Sequence, residues 1–222
     1  MLGRHPNGES ALVKPIVANG LAHYVNDMIL NDRSSALSLL HTRRSGRPRE
    51  MVAPGPGREE LDEILAIAAR SPDHGKLTPW RFVIVSPQQR QQFADVLARA
   101  LPDHDPDATA AHYAKELEFA HQAPCLIVLI SSPIQDHKIP VWEQELSCGA
   151  VAMNLLLGAH ALGYVGGWLT GWRAYSRVVL EAFCKPGERI AGFIFLGSPG
   201  IDLEDRPRPA LADVASDWTP IP

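Results

Sequence analysis

A cluster of arginines is the first feature of this sequence that could do chemistry. Residues 41–50, HTRRSGRPRE, hold four arginines in a 222-residue chain whose formal net charge is −4. Arg43 and Arg44 are adjacent, and each presents a planar fork of donors that matches an oxyanion, while Ser45 adds a hydroxyl. Three interpretations are open from these residues alone: a solvated turn, a nucleic-acid patch, or a seat for one small anion.

Two more segments combine polar or small residues in a way that suits a ligand. Residues 70–82, RSPDHGKLTPWRF, carry Arg70 and His74 between the end of a helix and a strand; a plain helix-strand connection explains them equally well. Residues 166–172, GGWLTGW, have glycines that allow the backbone to approach a flat molecule closely. A turn at the edge of a sheet is an equally good interpretation of this second segment.

Composition excludes several classes of protein. A pI near 6.1 argues against general binding to nucleic acid, which needs a broad basic face. No apolar run reaches the roughly 18–20 residues that span a bilayer, and we see no secretory signal. Three separated cysteines are typical of reduced, buried thiols, which favours a cytoplasmic protein. The nine histidines show no metal-ligand spacing, so we expect no metal site.

Known nucleotide and hydrolase motifs are missing from the sequence. No G-x-G-x-x-G follows a strand, and no P-loop, G-x-S-x-G elbow or H-E-x-x-H appears. A chemistry carried by one of these motifs is therefore not supported.

The elements that must position these residues alternate between helices and buried strands. Apolar runs predict strands at 80–85, 125–131 and 190–197. Helical spacing predicts helices over 58–70, 88–101, 108–122, 142–162 and 175–183, and a short helix that begins at Ser34 or Ser35. This order favours an α/β or α+β layered domain with a sheet buried on both faces. We expect a loosely attached extension over residues 1–30 and a single domain over 31–222 with an extended C-terminal tail.

The chain resembles the nitroreductase family of FMN-dependent oxidoreductases, and within it the small branch with an R-R-S start and a P-D-H segment. The resemblance runs from about Ser34 to the tail. Its anchors are RRS at 43–45, RSPDH at 70–74, PWRF at 79–82, WEQELSCGA at 142–150, ALGYVGGWLTG at 161–171 and GFIFLGSP at 192–199. The resemblance implies an α+β fold of three layers, α/β/α, with a central mixed sheet flanked by helices, in an intertwined homodimer.

The resemblance also implies the residues that hold FMN. Arg43, Arg44 and Ser45 would bind its phosphate, with help from Arg208 in the DRPRP segment of the tail. Arg70 and His74 would reach the ribityl chain or the pyrimidine edge, and in relatives they come from the partner subunit. The remaining contacts, along the isoalloxazine ring, would come from Trp168, Leu169 and Thr170.

A final implied contact concerns NAD(P)H. In relatives the nicotinamide dinucleotide is assigned to a region that matches Gly158, Ala159, His160, Ala161, Leu162 and Gly163. The same residues, GAHALG, also suit the C-terminus of a helix packed in a core.

The expected activity is that of an FMN-dependent enzyme that takes hydride from NAD(P)H and reduces a flat, electron-poor acceptor such as a nitroaromatic or a quinone. The flavin carries the chemistry, so we name no catalytic acid or base. Thr78 stands where many relatives have Gln, and Leu169 where the close branch often has Arg. These departures keep open a flavin-binding carrier or sensor without turnover, and a plain interaction module is the third alternative.

Overall fold

The computed structural model describes residues 29–220. The extension predicted for residues 1–30 therefore lies outside the described residues, except for its last two positions. Within the described part there are seven α-helices, and five strands form one sheet.

The sheet is antiparallel throughout the described residues. Its strands are β1 (Met51–Val52), β2 (Trp80–Val85), β3 (Cys125–Ser131), β4 (Val165–Leu169) and β5 (Arg189–Pro199). β5 pairs with β1, β3 and β4, and β2 forms the far edge beyond β3. The expectation of a mixed sheet is wrong for this chain, because every pairing among the described strands is antiparallel.

Seven α-helices are described, and helices cover both faces of the sheet. They are α1 (Ala36–Thr42), α2 (Arg58–Ala68), α3 (Arg90–His104), α4 (Ala110–His121), α5 (Val141–Ala161), α6 (Arg177–Phe183) and α7 (Leu211–Val214). One apolar core packs α3, α4 and α6 against the sheet, and the other packs α2 and α5 against its opposite face. The three-layer α+β prediction is confirmed.

Strand β3 shows why the sheet forms where the sequence predicts it. All seven of its residues are buried. Successive side chains point to opposite faces, so that Leu126 and Val128 enter the first core while Ile127 and Leu129 enter the second. A continuous apolar run is therefore what a strand covered on both faces requires.

Strand β4 was not predicted, because two of its five residues are glycines and show no alternating pattern. The structure gives a steric reason for both. A Cβ on Gly166 would lie 2.6 Å from the Cδ2 atom of Leu156, and one on Gly167 would lie 2.9 Å from the carbonyl oxygen of Gly46. The glycines let α5 and the arginine-rich segment approach the strand from two directions.

Trp168 on β4 owes its position to an irregularity in β5. The register between β3 and β5 shifts at Ala191, which has no partner in β3. Its carbonyl is thereby free to accept a hydrogen bond from the Trp168 indole Nε1, at 2.9 Å. A Cβ on the next residue, Gly192, would overlap the indole ring, so the ring requires glycine there.

This geometry predicts that Gly192→Ala destabilises the protein by about 1–3 kcal/mol, because the indole ring must move to make room for the methyl group. Urea unfolding measures the loss. In a Trp168→Ala background the same substitution should cost less than about 1 kcal/mol, since the overlap has been removed. An equal cost in both backgrounds would contradict the assignment.

Candidate functional site

A cavity of about 410 Å³ lies beside the free edge of β4. The segment that follows α1, the strand β4, the second half of α5 and the tail each contribute to its walls. Its lining residues are Arg43, Arg44, Ser45, Gly46, Met153, Leu156, Gly167, Trp168, Leu169 and Arg206. Five of the nine residues predicted to hold FMN therefore meet in one cavity: Arg43, Arg44, Ser45, Trp168 and Leu169.

Backbone hydrogen bonds fix the arginine segment in place. The Gly46 amide donates to the Gly166 carbonyl of β4 at 3.2 Å. Asn31 brackets the backbone of Arg44: its amide nitrogen donates to the Arg44 carbonyl at 3.0 Å, and its amide oxygen accepts from the Arg44 N–H at 2.8 Å. Hydrogen bonds at Arg44 and at Gly46 thus hold the backbone of this segment, which fixes the direction in which its side chains extend.

The side chains at this end of the cavity form a cluster of donors. Arg43 donates through Nη1 to the Ser45 hydroxyl at 3.1 Å. Arg44 donates through Nε to the carbonyl of Glu204, at 2.7 Å, which ties the tail to this segment. α1 ends at Thr42 and begins with Ser35 as its N-cap, so the arginines follow a helix end as predicted.

Positive charge is concentrated here. Burial lowers the pKa of the Arg43 guanidinium, and repulsion from Arg208, Arg44 and Arg206 lowers it further, against a smaller opposing effect of Asp205. No acidic residue is among the described residues that line the cavity. A bound anion would relieve this repulsion, so the charge balance favours an anionic ligand over a solvated turn.

The tail contributes to the site differently from the prediction. Arg206 lines the cavity, whereas Arg208 does not. The Arg208 guanidinium instead donates to the backbone carbonyl of Arg43, at 3.2 Å, and pairs with Asp205 at 3.0 Å. Arg208 therefore holds the backbone of Arg43 and does not itself line the cavity. Arg206, which lines it, was not predicted from the sequence.

The other end of the cavity is apolar. Trp168 and Leu169 of β4 face it together with Met153 and Leu156 of α5. Thr170, predicted with them, lines a neighbouring cavity of similar size, and Trp168 borders both cavities. A charged end joined to a flat, apolar end suits a ligand with an anionic group and a planar ring.

Arg70 and His74 lie away from this cavity in the same chain. Both are exposed, and the His74 Nδ1 atom is 2.7 Å from a carboxylate oxygen of Glu143 in the first turn of α5. Glu143 and Met153 are ten residues apart, which is about 15 Å along the helix axis. The structure therefore does not bring His74 to the arginine cluster of its own chain.

The loop that carries His74 is nevertheless firmly anchored to α5. The Ser147 hydroxyl donates to the carbonyl of Pro72, and the Asn154 amide donates to the Ser71 hydroxyl at 2.8 Å. The loop is a well-placed surface element with 68% of the His74 side chain exposed.

The segment assigned to NAD(P)H divides into a buried half and an exposed half. Gly158, Ala159 and His160 are buried, whereas Ala161, Leu162 and Gly163 are exposed. A Cβ on Gly158 would lie 3.3 Å from the Ile67 side chain of α2. Packing against α2 accounts for Gly158, whereas His160 and Gly163 line another cavity of about 410 Å³.

Other chemistries find little support in the described residues. Burial raises the pKa of all three cysteine thiols, Cys125, Cys148 and Cys184, to about 11, so none is a ready thiolate nucleophile. The described part of the chain contains no group of three or more His, Cys, Asp or Glu residues placed to hold a metal ion. None of its helices is long and apolar enough to cross a membrane.

Sequence reasoning missed Gly46, Met153, Leu156, Gly167 and Arg206 as lining residues. The two glycines could have been found from their position beside the R-R-S and W-L-T segments. Met153 and Leu156 read only as core positions of an apolar helix, because the sequence does not show where α5 passes β4.

Comparison with known proteins gives a consistent result. The family model described as "Nitroreductase family" matches residues 40–198. "Putative NAD(P)H nitroreductase YdjA" of Escherichia coli is 36% identical over 165 residues, covering 74% of this chain and 88% of that protein. A Haemophilus influenzae protein whose name also describes an NAD(P)H nitroreductase is 32% identical over 173 residues, covering 77% of this chain and 91% of that protein.

Solved structures share the fold. A nitroreductase-like family protein from Bacillus cereus has a TM-score of 0.71 at 20% identity, covering 83% of this chain and 96% of that one. NfnB, described as an FMN- and NADPH-dependent nitroreductase from a sphigopyxis strain, has a TM-score of 0.62 at 20% identity, covering 83% of this chain and 98% of that one.

Proposed function

This chain belongs to the nitroreductase family and is therefore an oxidoreductase; we propose that it binds FMN, takes hydride from NAD(P)H and reduces a flat, electron-poor acceptor such as a nitroaromatic or a quinone. One observation carries the proposal: three arginines and a serine share a cavity with a tryptophan and a glycine strand edge. The NAD(P)H and FMN named for relatives support the same assignment.

The charged end of the cavity fits a phosphate group. Arg43, Arg44 and Arg206 line it together with Ser45, whose hydroxyl accepts a hydrogen bond from Arg43. Guanidinium forks match phosphate oxygens in shape, and each charge-assisted hydrogen bond contributes roughly 1.5–3 kcal/mol. These residues would bind the FMN phosphate, and Arg208 would hold the backbone of Arg43 in place.

The apolar end fits the isoalloxazine ring. Trp168 offers a planar aromatic surface there, and Leu169, Met153 and Leu156 add apolar side chains to the lining. When bound, FMN supplies the hydride chemistry that no side chain in this cavity provides. The residues of the chain bind the ring, orient it and exclude water from one side.

The acceptor and the reductant are small molecules in this proposal, and no catalytic acid or base is assigned. The arginines are the only charged side chains among the described lining residues. A flavin carrier or sensor without turnover remains the second candidate, because Leu169 and Thr78 depart from the family pattern. Steady oxidation of NAD(P)H in the presence of a quinone separates the enzyme from the carrier.

A homodimer completes the proposal. α5 exposes an apolar stripe in which Trp142 is 67% and Leu146 is 53% exposed. On the same stripe, a Cβ on Gly149 would have no neighbour within 4 Å. The stripe runs along the helix towards Met153, which lines the cavity. A second copy that packs on this stripe would bring its own loop 70–78 near the first chain's cavity.

We expect Arg43→Ala combined with Ser45→Ala to raise the Kd for FMN at least about a hundredfold, because two phosphate contacts worth roughly 3 kcal/mol together are lost. Quenching of flavin fluorescence during titration of the apoprotein measures the Kd.

Arg47→Ala is the matched control for this pair. Arg47 belongs to the same arginine-rich segment, pairs with Glu50 at 3.0 Å and does not line the cavity. Its loss should leave the Kd within about threefold, as expected for an exposed ion pair. Equal weakening by both variants would mean that only general positive charge attracts the flavin.

The dimer predicts that His74 contacts the flavin held by the partner's Arg43. The test uses two parent chains, His74→Ala and Arg43→Ala/Ser45→Ala, carrying different affinity tags so that the mixed dimer can be isolated. Contact in trans leaves one site with both defects and one site intact, so the mixed dimer should bind one tight flavin while both parent homodimers bind weakly.

Two results would contradict this arrangement. Two weakened sites in the mixed dimer, with neither binding flavin tightly, would mean that His74 serves the flavin of its own chain. A stable, flavin-loaded monomer in light scattering would remove the partner altogether.

A further inference from the structure

His160 is a buried imidazole that the proposed chemistry does not use. It lies in the last turn of α5 and is completely shielded from solvent. Its Nε2 atom accepts a hydrogen bond from the Gly166 amide of β4, at 3.3 Å. The carbonyl of Gly166 in turn accepts from the amide of Gly46, at 3.2 Å.

These bonds pair backbone groups of β4 on the side where none of the described strands pairs with it. In an antiparallel ladder the backbone groups of alternate residues point away from the neighbouring strand. Gly166 is such a residue, and buried backbone groups need partners. The imidazole satisfies its N–H, and the segment that contains Arg43 satisfies its carbonyl, so the two partners meet on one residue.

The protonation state of His160 follows from this geometry. A nitrogen that accepts a hydrogen bond carries no proton, so the neutral ring bears its proton on Nδ1. Burial lowers the pKa of His160 to about 4, and the nearby charge of Arg43 acts in the same direction. The ring is therefore neutral over the ordinary range of pH.

Packing alone does not explain an imidazole at this position. The Nδ1 atom is buried and finds no hydrogen-bond partner among the described residues. A leucine would fill a similar volume without burying an unpaired polar atom, which costs stability. What leucine could not do is accept the hydrogen bond from Gly166.

We propose that His160 is a positioning residue for the phosphate end of the flavin site, holding Gly166 so that Gly166 holds Gly46 and the adjoining Arg43-Arg44-Ser45 segment. This inference rests on the proposed FMN function. In this role His160 contacts neither NAD(P)H nor FMN and acts on the site through the backbone of Gly166.

A positioning role and a general packing role for His160 predict different effects on the binding of two flavins. Riboflavin has the same ring and ribityl chain as FMN but lacks the phosphate. If His160 acts through the arginine segment, its loss weakens FMN and leaves riboflavin nearly unchanged. If His160 only fills space, both flavins are affected alike.

The experiment titrates both flavins into wild-type, His160→Leu and His160→Gln apoproteins and compares the two Kd values within each protein. We expect the wild-type protein to bind FMN much more tightly than riboflavin. In His160→Leu the ratio of the riboflavin Kd to the FMN Kd should fall at least about tenfold, which is the usual effect of losing a residue that supports a binding group. Glutamine is the matched control, because its side-chain oxygen reaches nearly as far as Nε2 and can accept from Gly166. It should restore most of the preference.

The outcomes separate this inference from the proposed function. A wild-type protein that binds neither flavin, or binds both equally, overturns the phosphate assignment itself. A wild-type protein that prefers FMN, with a leucine variant that keeps the same preference or loses both flavins equally, overturns only the role of His160.

A second measurement covers the case in which the leucine variant does not fold. Nitrogen-15 NMR of the wild-type protein reports which ring nitrogen carries the proton. We expect a neutral ring protonated on Nδ1, and amide shifts at Gly46 and Gly166 when FMN is added. A proton on Nε2, or unmoved Gly46 and Gly166 amides in the FMN-loaded protein, overturns the proposal.

Discussion

The contact between Gly46 and Gly166 is the constraint on which the candidate site depends. It joins a loop rich in positive charge to the free edge of a buried strand through one backbone hydrogen bond. The next residue of the strand must be glycine, because a Cβ on Gly167 would lie 2.9 Å from the carbonyl oxygen of Gly46. The cavity exists because the loop stands at this edge while α5 crosses behind it. Moving the loop away from β4 would separate the arginines from Trp168.

One electrostatic consequence is that the positive charge of the arginines is not balanced by any acidic side chain among the described lining residues. Arg43 is partly buried beside other arginines, and both burial and repulsion lower its pKa. The cost of assembling such a cluster must be met by the rest of the fold, including the backbone bonds made by Asn31. An anionic group would offset that cost on binding, so the proposed affinity for a phosphate depends on the folded chain and not on the arginines alone.

Much of this arrangement could be predicted from the sequence, and the exceptions have physical causes. The buried strands and the long helix follow from apolar periodicity, and the R-R-S segment stands out because its charge opposes that of the whole chain. Strand β4 escaped prediction because glycines carry no hydrophobic pattern. Arg206 was overlooked because spacing within DRPRP does not say which arginine turns inward. The hydrogen bond between His160 and the backbone of Gly166 could not be predicted, because a sequence does not show which side of α5 meets β4.

The central claim is that this chain holds a redox-active FMN in the cavity beside Arg43. The most direct measurement is the absorption spectrum of the purified protein, incubated with FMN, passed through gel filtration and then treated with NADH or NADPH without oxygen. The account predicts about one flavin per chain, bleached by at least one of the reductants and restored by a quinone. A protein that stays colourless after incubation with FMN, or a bound flavin that neither reductant bleaches, would contradict it.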